Sequence, residues 1–377
     1  MSIGGIPLAS AFLFCIAFVA MLRAMAPRLG LVDAPTARKV HHGNVPVCGG
    51  LAMFVALLVA LAIRHGLQPP GRAALTAGGS LEHSTLPLAV TLGMLVAIGV
   101  VDDRWGMGPL TKLALQVVAA CLLLGLGRDT YASGGLIHLP LAMPGRDVIA
   151  LVVTLLFIVG LINAFNMIDG LDGLAGGLAA VTLIGLAASG RLADQASLVD
   201  DSLLLMAVVL GFLVFNLRRP GLRRAIAFMG DAGSMMLGCA IAAIIVELSS
   251  HTATVEGGLE RFPSLLWLVA IPVIDTASLM IRRPLAGRSP MAADREHLHH
   301  LLLDTGLSPA RTTVVLVGAA MVLATVGVAG WALRVPPVLM VAGLAVPALS
   351  HCALVWNCSQ RRRGTAQALL ISSEPAE

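Results

Sequence analysis

Charge is scarce in this 377-residue chain. Only 12% of its residues are Asp, Glu, Lys or Arg, about half the share usual in a soluble domain. An ordinary water-soluble enzyme is therefore excluded. The strand-like alternation of an outer-membrane barrel is missing too, which excludes that class. Six cysteines (Cys15, Cys48, Cys121, Cys239, Cys352 and Cys358) are scattered without a CxxC pair, so neither a disulfide framework nor a zinc knuckle is expected. There is no HExxH, no evident internal repeat and no segment that reads as a soluble domain. What the chain has instead is apolar sequence: 57% of its residues are hydrophobic and the mean hydropathy is +0.89.

The apolar residues fall into blocks of about 20, the length a helix needs to cross roughly 30 Å of hydrocarbon. Eleven spans are expected, near 4–24, 47–66, 84–101, 109–127, 147–163, 170–189, 198–217, 232–250, 262–281, 310–331 and 336–357. The first has no basic residue before it and no evident cleavage site, so it reads as a retained anchor. The fold class is all-α, a polytopic membrane protein with one membrane domain over 1–360 and a basic-then-polar tail over 361–377. With eleven spans, one side of the membrane receives 18 of the 25 basic residues. The positive-inside rule puts that side in the cytoplasm, with the N-terminus outside and the C-terminus inside. Nine of the fourteen aspartates lie on the same side. Acids do not follow the topology rule, so their gathering there needs a chemical cause.

Four stretches suggest that cause. In "VVDDRWGMGPLTKLALQ", Asp102 and Asp103 stand at a span end with Lys112, one of only two lysines, just beyond. Adjacent carboxylates repel unless a cation or a proton relieves them. In "NAFNMIDGLDGLAGG", Asn163 and Asn166 are three apart, as are Asp169 and Asp172. On a helix such pairs share a face, and oxygen-rich faces suit a hard cation such as Mg²⁺. A helix cap alone would need one such residue, not four. "FNLRRPGLRRAIAFMGDAGS" joins a basic loop to Asp231 at the start of a span, where free N–H groups favour an anion or Asp231 holds a cation against one. "DREHLHH" sets Arg295 beside His297, His299 and His300, a loop suited to charge-assisted hydrogen bonds with phosphate. The other histidines, His351 in the last span included, belong to no motif.

Together with the basic loop "GLVDAPTARKVHHGNVPVCGG" between the first two spans, and in order from about Gly30 to Ser308, these stretches resemble the polyprenyl-phosphate N-acetylhexosamine-1-phosphate transferases. The bacterial undecaprenyl-phosphate N-acetylglucosamine-1-phosphate branch is the nearest likeness. "NAFNMIDGLDG", "FMGDAGS" and "DREHLHH" are the specific matches. The resemblance implies eleven transmembrane helices in a bacterial inner membrane, the N-terminus periplasmic, and an active site on the cytoplasmic face. It implies that undecaprenyl phosphate and UDP-GlcNAc give undecaprenyl-diphosphate-GlcNAc and UMP, with Mg²⁺ or Mn²⁺. By the same resemblance Asp102, Asp103, Asp169 and Asp172 are catalytic: Asp102 is the base near the lipid phosphate, and Asp169 and Asp172 belong to the nucleotide and metal site. Asp231 and Asn166 hold the metal. Lys112, Asn163, Arg295, His297, His299 and His300 bind substrate, the last four at its sugar-diphosphate end. Some relatives carry a third acid as DDxxD; here that position is Gly106, so no role for a third acid transfers. The partners implied are the two substrates and the bilayer, with no nucleic acid and a homodimer left open.

Two alternatives stand beside this reading. The same chemistry with another UDP-HexNAc or with UDP-MurNAc-pentapeptide is one, because a loop discriminates weakly between sugars differing by a methyl or hydroxyl. A proton-coupled transporter is the other. It would want acids at mid-span and an internal repeat, whereas the acids here gather at span ends.

Overall fold

The structure is a computed structural model and describes residues 4–33, 44–67, 80–127, 136–137, 145–218, 221, 224–251, 261–289 and 296–372. Eight helices follow in chain order: α1 (Gly5–Leu29), α2 (Gly49–Gly66), α3 (Ser80–Trp105), α4 (Pro109–Leu126), α5 (Arg146–Ile168), α6 (Leu174–Leu192), α7 (Ala196–Asn216) and α8 (Gly230–His251). A ninth span is built from α9 (Phe262–Leu266), a 3₁₀ turn (Trp267–Val269) and α10 (Ala270–Leu285). After the short α11 (Leu298–Asp304) come α12 (Pro309–Ala332), α13 (Pro337–Gly343) and α14 (Ala345–Ser372). Among the described residues, eleven helical stretches are long and apolar enough to cross a membrane. Their outer faces expose Leu13, Leu156, Val322 and Val338, side chains that lipid solvates at no cost.

Local sequence accounts for the breaks. Proline occupies the first position of α4, α12 and α13, where its missing N–H has no partner to lose. The ninth span is interrupted because Pro272 cannot donate to Leu268 one turn back. That carbonyl accepts from the Thr182 hydroxyl instead, at 2.8 Å. A freed backbone group inside a membrane needs such a replacement.

Helix α8 is the axis of the bundle, buried along nearly its whole length. It packs on α2, α3 and α5, and its small residues explain how. A Cβ added to Gly50 of α2 would strike the Gly233 backbone, and one added to Gly99 of α3 would strike that of Ala232. Small residues let helices approach backbone to backbone, where dispersion and not the hydrophobic effect drives association in lipid.

The fold class is all-α, as the sequence reading has it. One difference from that reading matters for the site: helix α3 continues through Trp105 and α5 through Ile168, so Asp102, Asp103, Asn163 and Asn166 lie on helices, where the reading places loops from residues 102 and 163. One short strand pair stands beside the helices. Strands β1 (Val32–Asp33) and β2 (Val45–Pro46) pair antiparallel, and Val47 bridges to Phe228. The Phe228 N–H donates to Pro46 O at 2.8 Å and Gly50 N–H to Met229 O at 2.9 Å. These bonds pin the start of α2 to the start of α8.

Candidate active site

The polar residues converge where α3, α5 and α7 end and α4, α6 and α8 begin. Lys112 stands one turn into α4. Helical side chains lean toward the N-terminus, which carries its ammonium back toward that end of the bundle. Its Nζ donates to Asp102 Oδ2 of α3 at 2.9 Å, to Asn166 Oδ1 of α5 at 2.9 Å and to Asp231 Oδ2 of α8 at 2.5 Å. Asn166 turns its amide nitrogen the other way, to Asp231 Oδ1 at 2.7 Å and Ser234 Oγ at 2.9 Å. Three helices are thereby locked at one cation. Asp102 also accepts from the Met107 N–H at 2.6 Å, closing the turn into α4.

Asp103 does something the sequence did not suggest. Its carboxylate accepts from the Asp231 N–H at 3.0 Å and the Ala232 N–H at 3.4 Å. It caps α8 from a neighbouring helix, at the positive end of that helix's dipole. The free N–H groups expected there for a phosphate are thus engaged by a protein carboxylate, and Asp231 sits in the first turn of α8, not at its cap.

Asp169 and Asp172 do not share a helical face, contrary to the expected spacing argument. Asp169 is the C-terminal cap of α5 and Asp172 lies in the turn before α6. Burial, reinforced by the charges of Asp231, Asp103 and Asp172, pushes the Asp169 carboxyl up to about 8. Asp172 faces the basic loop instead, accepting from Arg218 Nε at 2.6 Å and the Ala225 N–H at 3.0 Å. Asn163 lies one turn deeper than Asn166. Its amide donates to Gln116 Oε1 at 2.7 Å and Val159 O at 2.8 Å, joining α4 to α5.

The histidine segment reaches the same end. His299 is 1% exposed and its Nε2 fills the place a Cβ of Gly170 would take, immediately beside Asp169. Its ring stacks on His297 at 5.5 Å and meets His300 at 4.3 Å. Burial, then the neighbouring His300 and His297, holds the His299 imidazole down to about 3, so it is neutral. Arg295 lies outside the described residues. Five polar residues given no role in the sequence complete the network: Gln116, Asn216 and Ser234, which lie within the quoted stretches, and Asp275 and His351, which lie in none. Asn216 accepts from the Gly173 N–H at 2.8 Å and donates to Ala227 O at 2.9 Å, tying α6, α7 and the loop before α8 together. For Asp275 and His351 the one available signal is a polar side chain in an apolar span.

Three oxygens converging on Lys112 Nζ form an all-oxygen donor set, the kind a hard divalent cation takes. Among the described residues no three His, Cys, Asp or Glu side chains are gathered around one metal position. The fit to a hard cation such as Mg²⁺ rests on the oxygen donors alone, since such an ion also takes ligands from water and substrate phosphate.

A membrane-embedded helical bundle whose acids meet around one lysine at a single end marks the protein as a polytopic membrane enzyme. Residues 85–249 match the model of Glycosyl transferase family 4. Over 323 residues the chain is 32% identical to the undecaprenyl-phosphate alpha-N-acetylglucosaminyl 1-phosphate transferase of Escherichia coli (strain K12), covering 85% of this chain and 82% of that one. Over 314 residues it is 34% identical to the decaprenyl-phosphate N-acetylglucosaminephosphotransferase of Mycolicibacterium smegmatis, covering 78% and 74%. The chain belongs to glycosyl transferase family 4. It is a phosphoglycosyl transferase, of the group that moves N-acetylhexosamine-1-phosphate to a polyprenyl phosphate.

Proposed function

We propose that the protein transfers GlcNAc-1-phosphate from UDP-GlcNAc to undecaprenyl phosphate, giving undecaprenyl-diphosphate-GlcNAc and UMP. It works on the cytoplasmic face of a bacterial inner membrane, within one domain over 1–360. The observation that carries this reading is the Lys112 ammonium held by oxygens of three helices. The names of the relatives support the choice of sugar and lipid.

The chemistry follows from charge. A lipid-phosphate oxygen attacks the sugar-bearing phosphorus of UDP-GlcNAc. One phosphoanhydride forms as another breaks, and UMP leaves, so the exchange is near balance. The two anions repel, and a positioned cation offsets that repulsion. Lys112 is the chain's own cation at this point. Asp102 takes the proton of the lipid phosphate. Asp103, by capping α8, aims Asp231. Mg²⁺ or Mn²⁺, held by Asp231 and Asn166, would supply charge neutralisation to the diphosphate. Asp169 and Asp172 shape the nucleotide side, the latter by holding Arg218. Arg295 and the histidines engage the sugar-diphosphate end.

The test is UMP release by purified protein given undecaprenyl phosphate and a panel of UDP-sugars, with and without Mg²⁺. The expected result is release that requires lipid phosphate and ion, fastest with UDP-GlcNAc. Faster turnover of UDP-MurNAc-pentapeptide, or UMP formed without the lipid, would contradict the reading.

A further inference from the structure

Asp275 lies on α10 in the apolar stretch "AIPVIDTASLM", and its side chain is 1% exposed. A buried carboxylate is costly unless donors surround it. Three do. His297 Nδ1 lies 3.1 Å from Oδ2, while the Leu298 N–H at 2.9 Å and His351 Nε2 at 3.1 Å meet Oδ1. The three donors come from the histidine segment and from α14. Arg282, also on α10, donates to the Glu296 carbonyl at 3.1 Å. The segment that begins at residue 296 is therefore fastened to the ninth span by both a carboxylate and a guanidinium.

We propose that Asp275, backed by His351, is a positioning residue for transfer: it sets the tautomer and orientation of His297, and through the stacked His299 the placement of the histidine cluster against Gly170. The inference rests on the proposed role of the histidines at the sugar-diphosphate end. An ionised carboxylate only accepts hydrogen bonds, so the imidazole nitrogens facing Asp275 carry the protons. His297 is thus fixed with Nδ1–H toward Asp275 and Nε2 as its working atom. A carboxylate that orients a histidine in this way acts by fixing which nitrogen is protonated and where the ring points. The stack from His297 to His299 to Gly170 ends next to Asp169, so a tilt of the first ring is passed to the site. His351 explains itself on this reading: it is 7% exposed, stands in the last span far along the chain, and gives its Nε2–H to the same carboxylate.

The experiment is a double-mutant cycle on the full-length protein in detergent, reading kcat for UMP release from UDP-GlcNAc and undecaprenyl phosphate alongside the thermal unfolding midpoint. Asp275→Asn keeps the shape but turns an amide nitrogen or a weaker acceptor toward His297. It is expected to lower kcat on the order of 10- to 100-fold, the cost typical of losing an orienting partner of a functional histidine. His297→Ala is expected to lower it at least as far. The double variant should match His297→Ala alone, because contacting residues that act as one are not additive. His351→Gln, which retains a donor, should stay within about threefold of wild type, and His351→Phe should show a loss that Gln rescues. Losses that multiply in the double variant, or wild-type kcat in Asp275→Asn, would overturn the positioning role. Should Asp275→Asn not fold, the His351→Gln and His351→Phe pair decides by the same criterion: equal turnover in the two overturns it. No UMP release by wild-type protein with any UDP-sugar would overturn the proposed function itself, which separates the two failures.

Discussion

At one end of the bundle Lys112 is shared among Asp102, Asn166 and Asp231. At the other, Arg64 of α2 meets Asp201 of α7 through one contact of 2.6 Å. Both places set an acid and a base between helices, yet they are built differently. The Arg64 pair borders a small apolar cavity lined by Phe54, Leu57, Leu92, Leu204 and Ile244. It joins two helices through one oxygen, with Glu247 and Asp200 near enough to act on Asp201. The Lys112 cluster joins four helices, α3, α4, α5 and α8, through three oxygens that meet at one nitrogen, with Asp103 and Asp169 close by. Convergence of several oxygens on one point is a poor way to stabilise a fold, since a buried ion pair seldom gains more than it loses in desolvation. It is a good way to hold a multivalent cation and two anionic substrates.

The largest expected effect breaks the cluster without breaking the fold. Asp231→Asn keeps the shape of the side chain and removes the charge nearest Lys112. UMP release should fall by about 10²–10³-fold or more, the scale of losing one preorganised electrostatic contact, with the unfolding midpoint near that of wild type. The far pair should behave in the opposite sense. Arg64→Met leaves Asp201 buried and unpaired and should cost about 3–5 kcal/mol of stability, while kcat of the folded fraction is unchanged. Replacing both residues, as Arg64→Met with Asp201→Leu, should recover most of that loss. A fall in kcat in the double variant would dissolve the distinction between the two ends.

The smallest effect sharpens the comparison by pH. The Asp169 carboxyl is raised in the folded protein to about 8, above its unfolded value of about 3.9. The folded state therefore binds the proton more tightly. The stabilisation is fully present below about pH 4 and is lost as pH rises through about 8. Asp169→Asn, which cannot titrate, should show a flatter fall of unfolding midpoint between pH 5 and 8 than wild type, measured without added divalent ion. Identical slopes would mean that Asp169 is not set among the other carboxylates.

Most of the helical architecture was legible because lipid demands long apolar runs, and a run of about 20 residues is hard to mistake. The helix ends were less so. Asp102, Asp103, Asn163 and Asn166 look like loop residues, but Lys112, Gln116, Ser234 and the start of α8 satisfy them from neighbouring helices, so α3 and α5 need not stop. The acids could be named from their motifs, while the division of labour among them could not. That Asp103 caps α8 and Asp172 holds Arg218 depends on which helices meet. Asp275 and His351 were invisible as a pair because 76 residues separate them, and each is an ionisable residue standing alone in an apolar span. The same logic that singled out acids at span ends applies to Asp275: a carboxylate at membrane depth is a functional candidate whether or not it sits in a motif.

The most direct measurement is Mn²⁺ binding followed by electron paramagnetic resonance, with UDP-GlcNAc present, in wild-type protein and in Asp231→Asn. If the oxygens around Lys112 are where a divalent ion is held, wild type should immobilise one Mn²⁺ per chain and the variant should leave it free in solution. Equal binding in the two proteins would put the ion elsewhere and contradict the account.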